Sequence, residues 1–267
     1  MTKKLVFLKL GGSLITVKDQ PHTTRPEVLE RLAQEIAEAI AQDKDLHLLL
    51  GHGSGSFGHV AASQYDTRQG VKSAEDWKGF VEVWSQAAEL DHLVIAALES
   101  AGLPTIVFPP SAMITAHDRK IGTWNLTPII TALENGLLPV VYGDVVFDEV
   151  LGGTILSTED LFTYLAPILK PTCLLFAGHE LGVWSKYPGP SNLLLEVTPK
   201  SFPHVVDGLK GSSATDVTGG MLGKVRQVVS LVNDFPWLEA VIFTGEVPGH
   251  VLRSLLGEKL GTVIVAA

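Results

Sequence analysis

The stretch "LHLLLGHGSGSFGHV", residues 46–60, sets a short apolar run directly ahead of four glycines and two histidines. An apolar run of that length reads as a strand, and glycines behind it free the backbone for tight turns and close approach. The pattern recurs. "LVFLKL" (5–10) runs into Gly11, Gly12 and Ser13, and "DVTGGMLGK" (216–224) opens a strongly periodic helix. Further strands are expected at "PTIVF" (104–108), "PVVYG" (139–143), "TCLLF" (172–176), "AVIFTG" (240–245) and "TVIVA" (262–266). These runs are continuously apolar rather than alternating, as in strands buried on both faces. Between them lie helical segments: "PEVLERLAQEIAEAI" (26–40) aligns Val28, Leu29, Leu32, Ile36 and Ile40 behind Pro26, and others are expected near 75–100, 125–135, 158–168, 220–233 and 250–256. The alternation predicts an α/β fold, a three-layer sandwich whose central, mainly parallel open sheet is covered by helices on both faces. "VVFDEVLGGTIL" (145–156) reads as a hairpin turning at Gly152 and Gly153, and 178–215, rich in Gly, Pro and Ser, as irregular structure.

The chain has 267 residues, 46% hydrophobic and 18% charged, which suits one globular domain over 1–267. No apolar run reaches the ~18 residues that cross a bilayer. "MTKKLVFLKLGG" faintly imitates a signal peptide, but its apolar part is too short and lacks a cleavage site, so it reads as the first strand. The single cysteine, Cys173, allows no intramolecular disulfide and fits a reducing cytoplasm, as a small buried strand residue. A net charge of −9 argues against nucleic acid as the main partner. Phosphates, if handled, are handled locally.

Gly53, Gly55 and Gly58 spell G-x-G-x-x-G after a strand, but the dinucleotide fingerprint also needs a second strand ending in an acidic residue about 20 positions on. Residues 71–100 read as helix instead. The remaining use of such glycines is to bring backbone N–H groups up to an anion. Three glycine turns in one sheet, two accompanied by Lys9 and Lys224, point to a polyphosphate lying across the carboxyl ends of the strands. No G-x-x-x-x-G-K-[ST] occurs, so this is not a P-loop.

"KLGGSLITVK", "GHGSGSFGH", "GDVV", "ILSTED" and "DVTGGMLGK" stand in an order and spacing that resemble the amino acid kinase superfamily. The histidine closing the second glycine loop and the "DVTGGM" segment resemble its isopentenyl phosphate kinases in particular, over essentially the whole chain. The resemblance implies transfer of the γ-phosphate of ATP to isopentenyl phosphate, in isoprenoid biosynthesis, by a cytoplasmic homodimer. It implies an acceptor-binding part at about 1–170 and a nucleotide-binding part at about 171–267. Mg²⁺ would be carried by the ATP phosphates rather than by dedicated ligands. The ATP side would comprise Lys9, Gly11, Gly12, Ser13, Lys18, Gly178, Gly182, Asp216, Thr218, Gly219, Gly220 and Lys224. Gly53, Ser54, Gly55 and Gly58 would cradle the acceptor phosphate with His59 hydrogen-bonding to it, Thr158 would belong to the same substrate-binding set, and Phe80, Val83, Trp84, Val146 and Ile155 would line the hydrocarbon pocket. Lys9, Lys18, Lys224, His59, Glu159 and Asp160 are the implied catalytic set.

The chain departs from the pattern twice. Glu159 stands where an aspartate orders the lysines, and "AGHELGVW" (177–184) replaces a "TDVDGVY"-like stretch, putting His179 and Leu181 for two aspartates beside Glu180. Plainer readings exist for several residues. Lys18 sits in a loop, where a lysine is ordinarily a solvated charge. Ser157-x-x-Asp160 has the spacing of a capping box. His52 and His59 could satisfy loop backbone groups. Lys9 is different, since a charge interrupting a buried strand needs a partner. A fosfomycin kinase, another small-acceptor kinase, and a non-catalytic phosphometabolite-binding or storage protein remain as alternatives; a storage protein would have no use for three lysines around a transferring phosphate.

Overall fold

A computed structural model describes residues 4–185, 192–209 and 220–266, without the side chains of 59–60 and 207–209. Strand β1 (Lys4–Leu10) runs into the one-turn helix α1 (Gly12–Ile15), and α2 (Pro26–Gln42) leads back to β2 (Leu46–His52), which exits through a 3-10 turn into α3 (His59–Gln64). Next come the long α4 (Ala74–Ser100), β3 (Thr105–Val107), the short α5 (Pro110–Met113), the strands β4 (Ile114–His117) and β5 (Lys120–Trp124), and α6 (Thr127–Glu134). Strand β6 (Leu138–Tyr142) precedes the hairpin of β7 (Asp144–Asp148) and β8 (Gly152–Leu156), helix α7 (Thr158–Leu169) and β9 (Cys173–Gly178). The last part holds β10 (Val183–Trp184), β11 (Leu193–Leu194), β12 (Glu196–Val197), α8 (Phe202–Leu209), α9 (Gly220–Asp234), β13 (Glu239–Thr244), α10 (His250–Leu255) and β14 (Thr262–Ile264).

Eight strands form the central sheet in the order β12-β14-β13-β9-β1-β2-β6-β3, parallel throughout except at the β13/β14 pair. Tyr142, His52, Leu10, Ala177 and Phe243 fall in one row across it, so the loops that leave β6, β2, β1, β9 and β13 all start from the same edge. Strand order runs outward from β1 in both directions, and at such a switch point the departing loops diverge and leave a crevice.

Successive strand residues point to opposite faces. Phe7 and Leu49 pack with Leu161, Phe162, Val225 and Val228 on the α7/α9 face, whereas Val6, Leu8, Leu10, Leu48 and Leu50 pack with Leu32, Ile36, Leu90 and Val94 on the α2/α4 face. Lys9 shares the face of Phe7 and so points toward α7 and α9, while His52 shares the face of Leu50 and points toward α4. A smaller cluster of Ala61, Ala62, Val71, Phe80, Val83, Val145 and Ile155 joins α3, α4 and the β7/β8 hairpin. Cys173 is partly buried in β9, where burial pushes its thiol up to about 12.

The expected strands and long helices are all present within a residue or two. Three features differ from expectation. The 145–156 hairpin turns at Glu149–Leu151, one step before the glycines, because the Asp148 carboxylate accepts the amides of Val150 and Leu151 there. The stretch 178–215 is not wholly irregular, since it contains α8, started by reciprocal hydrogen bonds between Thr198 and Ser201. The β4/β5 hairpin was not expected at all.

Candidate active site

The first glycine turn leaves β1 and the second leaves its neighbour β2, and the two pack backbone to backbone. Gly53 donates its amide to Leu10 O (3.1 Å), and Gly11 donates to Ala177 O (2.8 Å). A Cβ on Gly12 would fall on the amide of Gly55, itself at φ +52. Thr16, at 1% exposure, joins the loops: its hydroxyl donates to Gly12 O (2.8 Å) and accepts the Ser56 amide (3.0 Å). The amides of Gly12 and Ser13 open α1, where no earlier carbonyl of that helix can accept them.

Lys9 is the penultimate residue of β1, beside these loops, with its Nζ within 4.0 Å of where a Gly53 Cβ would lie. It is 6% exposed and donates to Glu159 Oε1 at 2.6 Å. Lys224, one turn into α9, lies 4.0 Å from the same oxygen. Burial alone would lift the Glu159 carboxyl, but the charges of Lys9 and Lys224, with the Lys9 hydrogen bond, hold it below the usual range. The Glu159 carboxylate thus gathers two ammonium groups beside the glycine loops. Glu159 reaches this position because Gly51 lets α7 settle on the end of β2: a Cβ there would strike Thr158 Cγ2 and the Phe162 ring.

The other expected residues fall as follows. Asp160 completes the capping box, accepting the Ser157 amide (2.8 Å) and hydroxyl (2.7 Å), and it also accepts Gln227 Nε2 of α9 (3.0 Å). It therefore braces α7 against α9, and Glu159 is the carboxylate that touches both lysines. Thr158 is buried with its hydroxyl donating to His52 O (2.6 Å), which ties α7 to β2 instead of facing the loops. Ser54 and Gly58 close the second loop, where a Cβ on Gly58 would press on Ser54 Oγ. Lys18 is exposed in a turn. Gly178 ends β9 and accepts the Gly245 amide (2.8 Å), and Gly182 precedes β10, while Gly220 opens α9 at φ +59. The His59 side chain, Asp216, Thr218 and Gly219 lie outside the described residues.

Behind the second loop Phe80, Val83 and Ile155 pack in one apolar cluster. Two assignments need correction. Val146 points to the α7/α9 face, because the register pairs Val145 with Ile155, and Val145 fills the place next to Phe80. Trp84 is 44% exposed, off the buried stripe of α4. Sequence reasoning missed Ala61, Ala62, Val145 and Thr16; strand period would have found Val145 had the register been known. It also missed Asp91 on α4, whose carboxylate lies 3.1 Å from His52 Nε2.

The altered stretch 177–184 is knitted to the end of β13. His179 contacts Glu246, its carbonyl accepts the Thr244 hydroxyl (3.0 Å), and Glu180 accepts Trp184 Nε1 (2.8 Å). Hydrogen bonds from the Arg25 guanidinium, at 2.5 and 2.9 Å, are the main reason that the Glu246 carboxyl lies below its ordinary range.

Residues 4–243 match the model of the amino acid kinase family. The chain is 35% identical to the isopentenyl phosphate kinase of Methanothermobacter thermautotrophicus, over 96% of this chain and 97% of that one. It is also 35% identical to the isopentenyl phosphate kinase of Haloferax volcanii, over 93% and 98%. Among solved structures it resembles an isopentenyl phosphate kinase with a TM-score of 0.83, at 32% identity over 98% of this chain and all of the other. A product complex of the T. acidophilum isopentenyl phosphate kinase follows at a TM-score of 0.77 and 27% identity, over 97% of this chain and 99% of that one.

Proposed function

The chain belongs to the amino acid kinase family, among its isopentenyl phosphate kinases, and from that premise we propose how its residues transfer the γ-phosphate of ATP to isopentenyl phosphate, giving isopentenyl diphosphate and ADP. The observation that carries the account is the placement of Lys9, Glu159 and Lys224 against two glycine loops, with an apolar cluster behind the second. The second loop receives the acceptor's phosphate, and Ala61, Phe80, Val83, Val145 and Ile155 surround its hydrocarbon. A phosphate monoester has its second pKa near 6, so the attacking oxygen is ionised at neutral pH and needs no general base. An oxygen lone pair attacks the γ-phosphorus in line, the bond to the β-phosphate oxygen breaks, and ADP leaves with those electrons.

Catalysis then consists of holding two anions together and neutralising charge in a loose transition state. Lys9 bridges the transferring group, Lys224 holds the β- and γ-phosphates from α9, and Glu159 fixes both ammonium groups. Lys18 reaches the ATP phosphates from its turn, and His59 donates to the acceptor phosphate. Mg²⁺ carried by the nucleotide would supply further charge neutralisation. The homodimer, the cytoplasmic setting and the place in isoprenoid synthesis belong to the same proposal.

The test is ADP release with MgATP and isopentenyl phosphate, dimethylallyl phosphate, fosfomycin, acetylglutamate and UMP as acceptors. Isopentenyl phosphate is expected to give the highest kcat/KM. Comparable values with acetylglutamate or UMP would refute the assignment.

A further inference from the structure

We propose that His52, held by Asp91, is a positioning residue that sets the orientation of the second glycine loop for the acceptor's phosphate. The inference rests on the reading of that loop as the acceptor cradle. His52 is the last residue of β2 and is fully buried, and Asp91 on α4 is 3% exposed. The imidazole Nε2 lies 3.1 Å from Asp91 Oδ1, its Nδ1 faces Gly53 O at 3.3 Å, and the ring stacks on Tyr142 with centroids 5.3 Å apart and planes 12° apart. Both ring nitrogens therefore face acceptors, and the Tyr142 face fixes the ring plane. The ring can take one orientation only.

Stability does not account for this pair. Its neighbours on the same face of β2, Leu48 and Leu50, are apolar, and a buried charged or polar pair is often matched or bettered by apolar residues of similar volume. A carbonyl partner supplies what an apolar contact cannot, which is direction. The His52 carbonyl receives the Thr158 hydroxyl at 2.6 Å and the Gly143 amide at 3.1 Å, and the Gly53 amide donates to Leu10 O. The peptide joining His52 to Gly53 is thus fixed at its carbonyl, at its amide and, through the imidazole, at the next carbonyl. The amides of Ser54 and Gly55 follow directly from it. Through Thr158 the same peptide is tied to the turn that carries Glu159, so the acceptor loop and the lysine anchor share one reference point.

The double variant His52→Leu/Asp91→Leu separates positioning from packing. It is expected to melt within a few degrees of the wild type. Its KM for isopentenyl phosphate should rise about tenfold or more and its kcat should fall, because small misplacements of a bound reactant cost heavily, while the KM for ATP stays within about twofold. Asp91→Asn is a second variant, in which the amide donates to Nε2 while Nδ1–H still reaches Gly53 O; it should remain within about threefold of the wild type. A folded double variant with an unchanged acceptor KM, or one in which both KM values rise together, overturns the proposal. So does an Asp91→Asn enzyme with the tenfold acceptor defect. A wild-type enzyme that turns over no isopentenyl phosphate would instead overturn the acceptor reading of the loop.

Discussion

At the scale of single residues, the site turns on one carboxylate oxygen that serves two ammonium groups. Replacing Glu159 by Gln keeps the shape and removes the charge that Lys9, at 6% exposure, shares with Lys224. The kcat of Glu159→Gln should fall about 10²-fold or more, as for other preorganised electrostatic groups, and Lys9→Met should match it. The carboxyl is held below its ordinary 4.5, so its contribution to stability is present above that value and is lost as the pH falls through the lower folded one. Wild type should therefore lose more Tm on acidification below pH 4.5 than Glu159→Gln. Asp144 behaves oppositely. Burial, opposed by hydrogen bonds from Ser111 and Val145, pushes its carboxyl from 3.8 up to about 7. The folded state then binds the proton more tightly, so stability falls as the pH rises from 3.8 through about 7. The Tm of Asp144→Asn relative to wild type should climb between pH 5 and pH 8; a flat difference in thermal melts would refute this. Lys9 was legible in the sequence because it interrupts an apolar strand ahead of Gly-Gly. The His52–Asp91 pair was not, since 39 residues separate its members and Asp91 reads as one polar break in a helical stripe.

At the scale of elements, the two glycine turns form a single double-layered loop, because Gly12 lies against Gly55 with no room for a side chain. Gly12→Ala should push the layers apart, destabilise the protein by about 1–3 kcal/mol and raise the KM values for both substrates, as thermal melts and steady-state kinetics would show. An Ala variant that raises only one KM would mean that the layers act separately. The central strands and long helices were legible because their apolar runs and periods are uninterrupted. The β4/β5 hairpin was hidden by its turn. Asp118 and Arg119 both take positive φ, at 46° and 64°, where a two-residue hairpin ordinarily calls for Asn and Gly. Here Asp148, from the neighbouring hairpin, accepts both of their amides at 3.1 and 2.8 Å, so the turn depends on a residue 29 or more positions away. Helix α8 was obscured by the Pro203 and Gly208 that flank its short apolar face.

At the scale of the whole molecule, the sheet crosses the boundary between the two parts that we propose bind acceptor and nucleotide. Strand β1 pairs with β2 of the proposed acceptor part on one side and with β9 of the proposed nucleotide part on the other. We propose that the chain unfolds as one unit: calorimetry should show a single transition, raised both by MgATP and by isopentenyl phosphate, each by about 2.7 kcal/mol of stabilisation at a hundred times its Kd. Two resolved transitions, with each ligand shifting only one, would show separate domains. The strands at the two ends of the central sheet are short, three residues in β3 and two in β12. Few backbone groups are left there to template another strand, and short edges are one means by which sheets avoid fibril-like growth. An eight-stranded sheet rich in valine and leucine is thereby kept from propagating into aggregates through its ends.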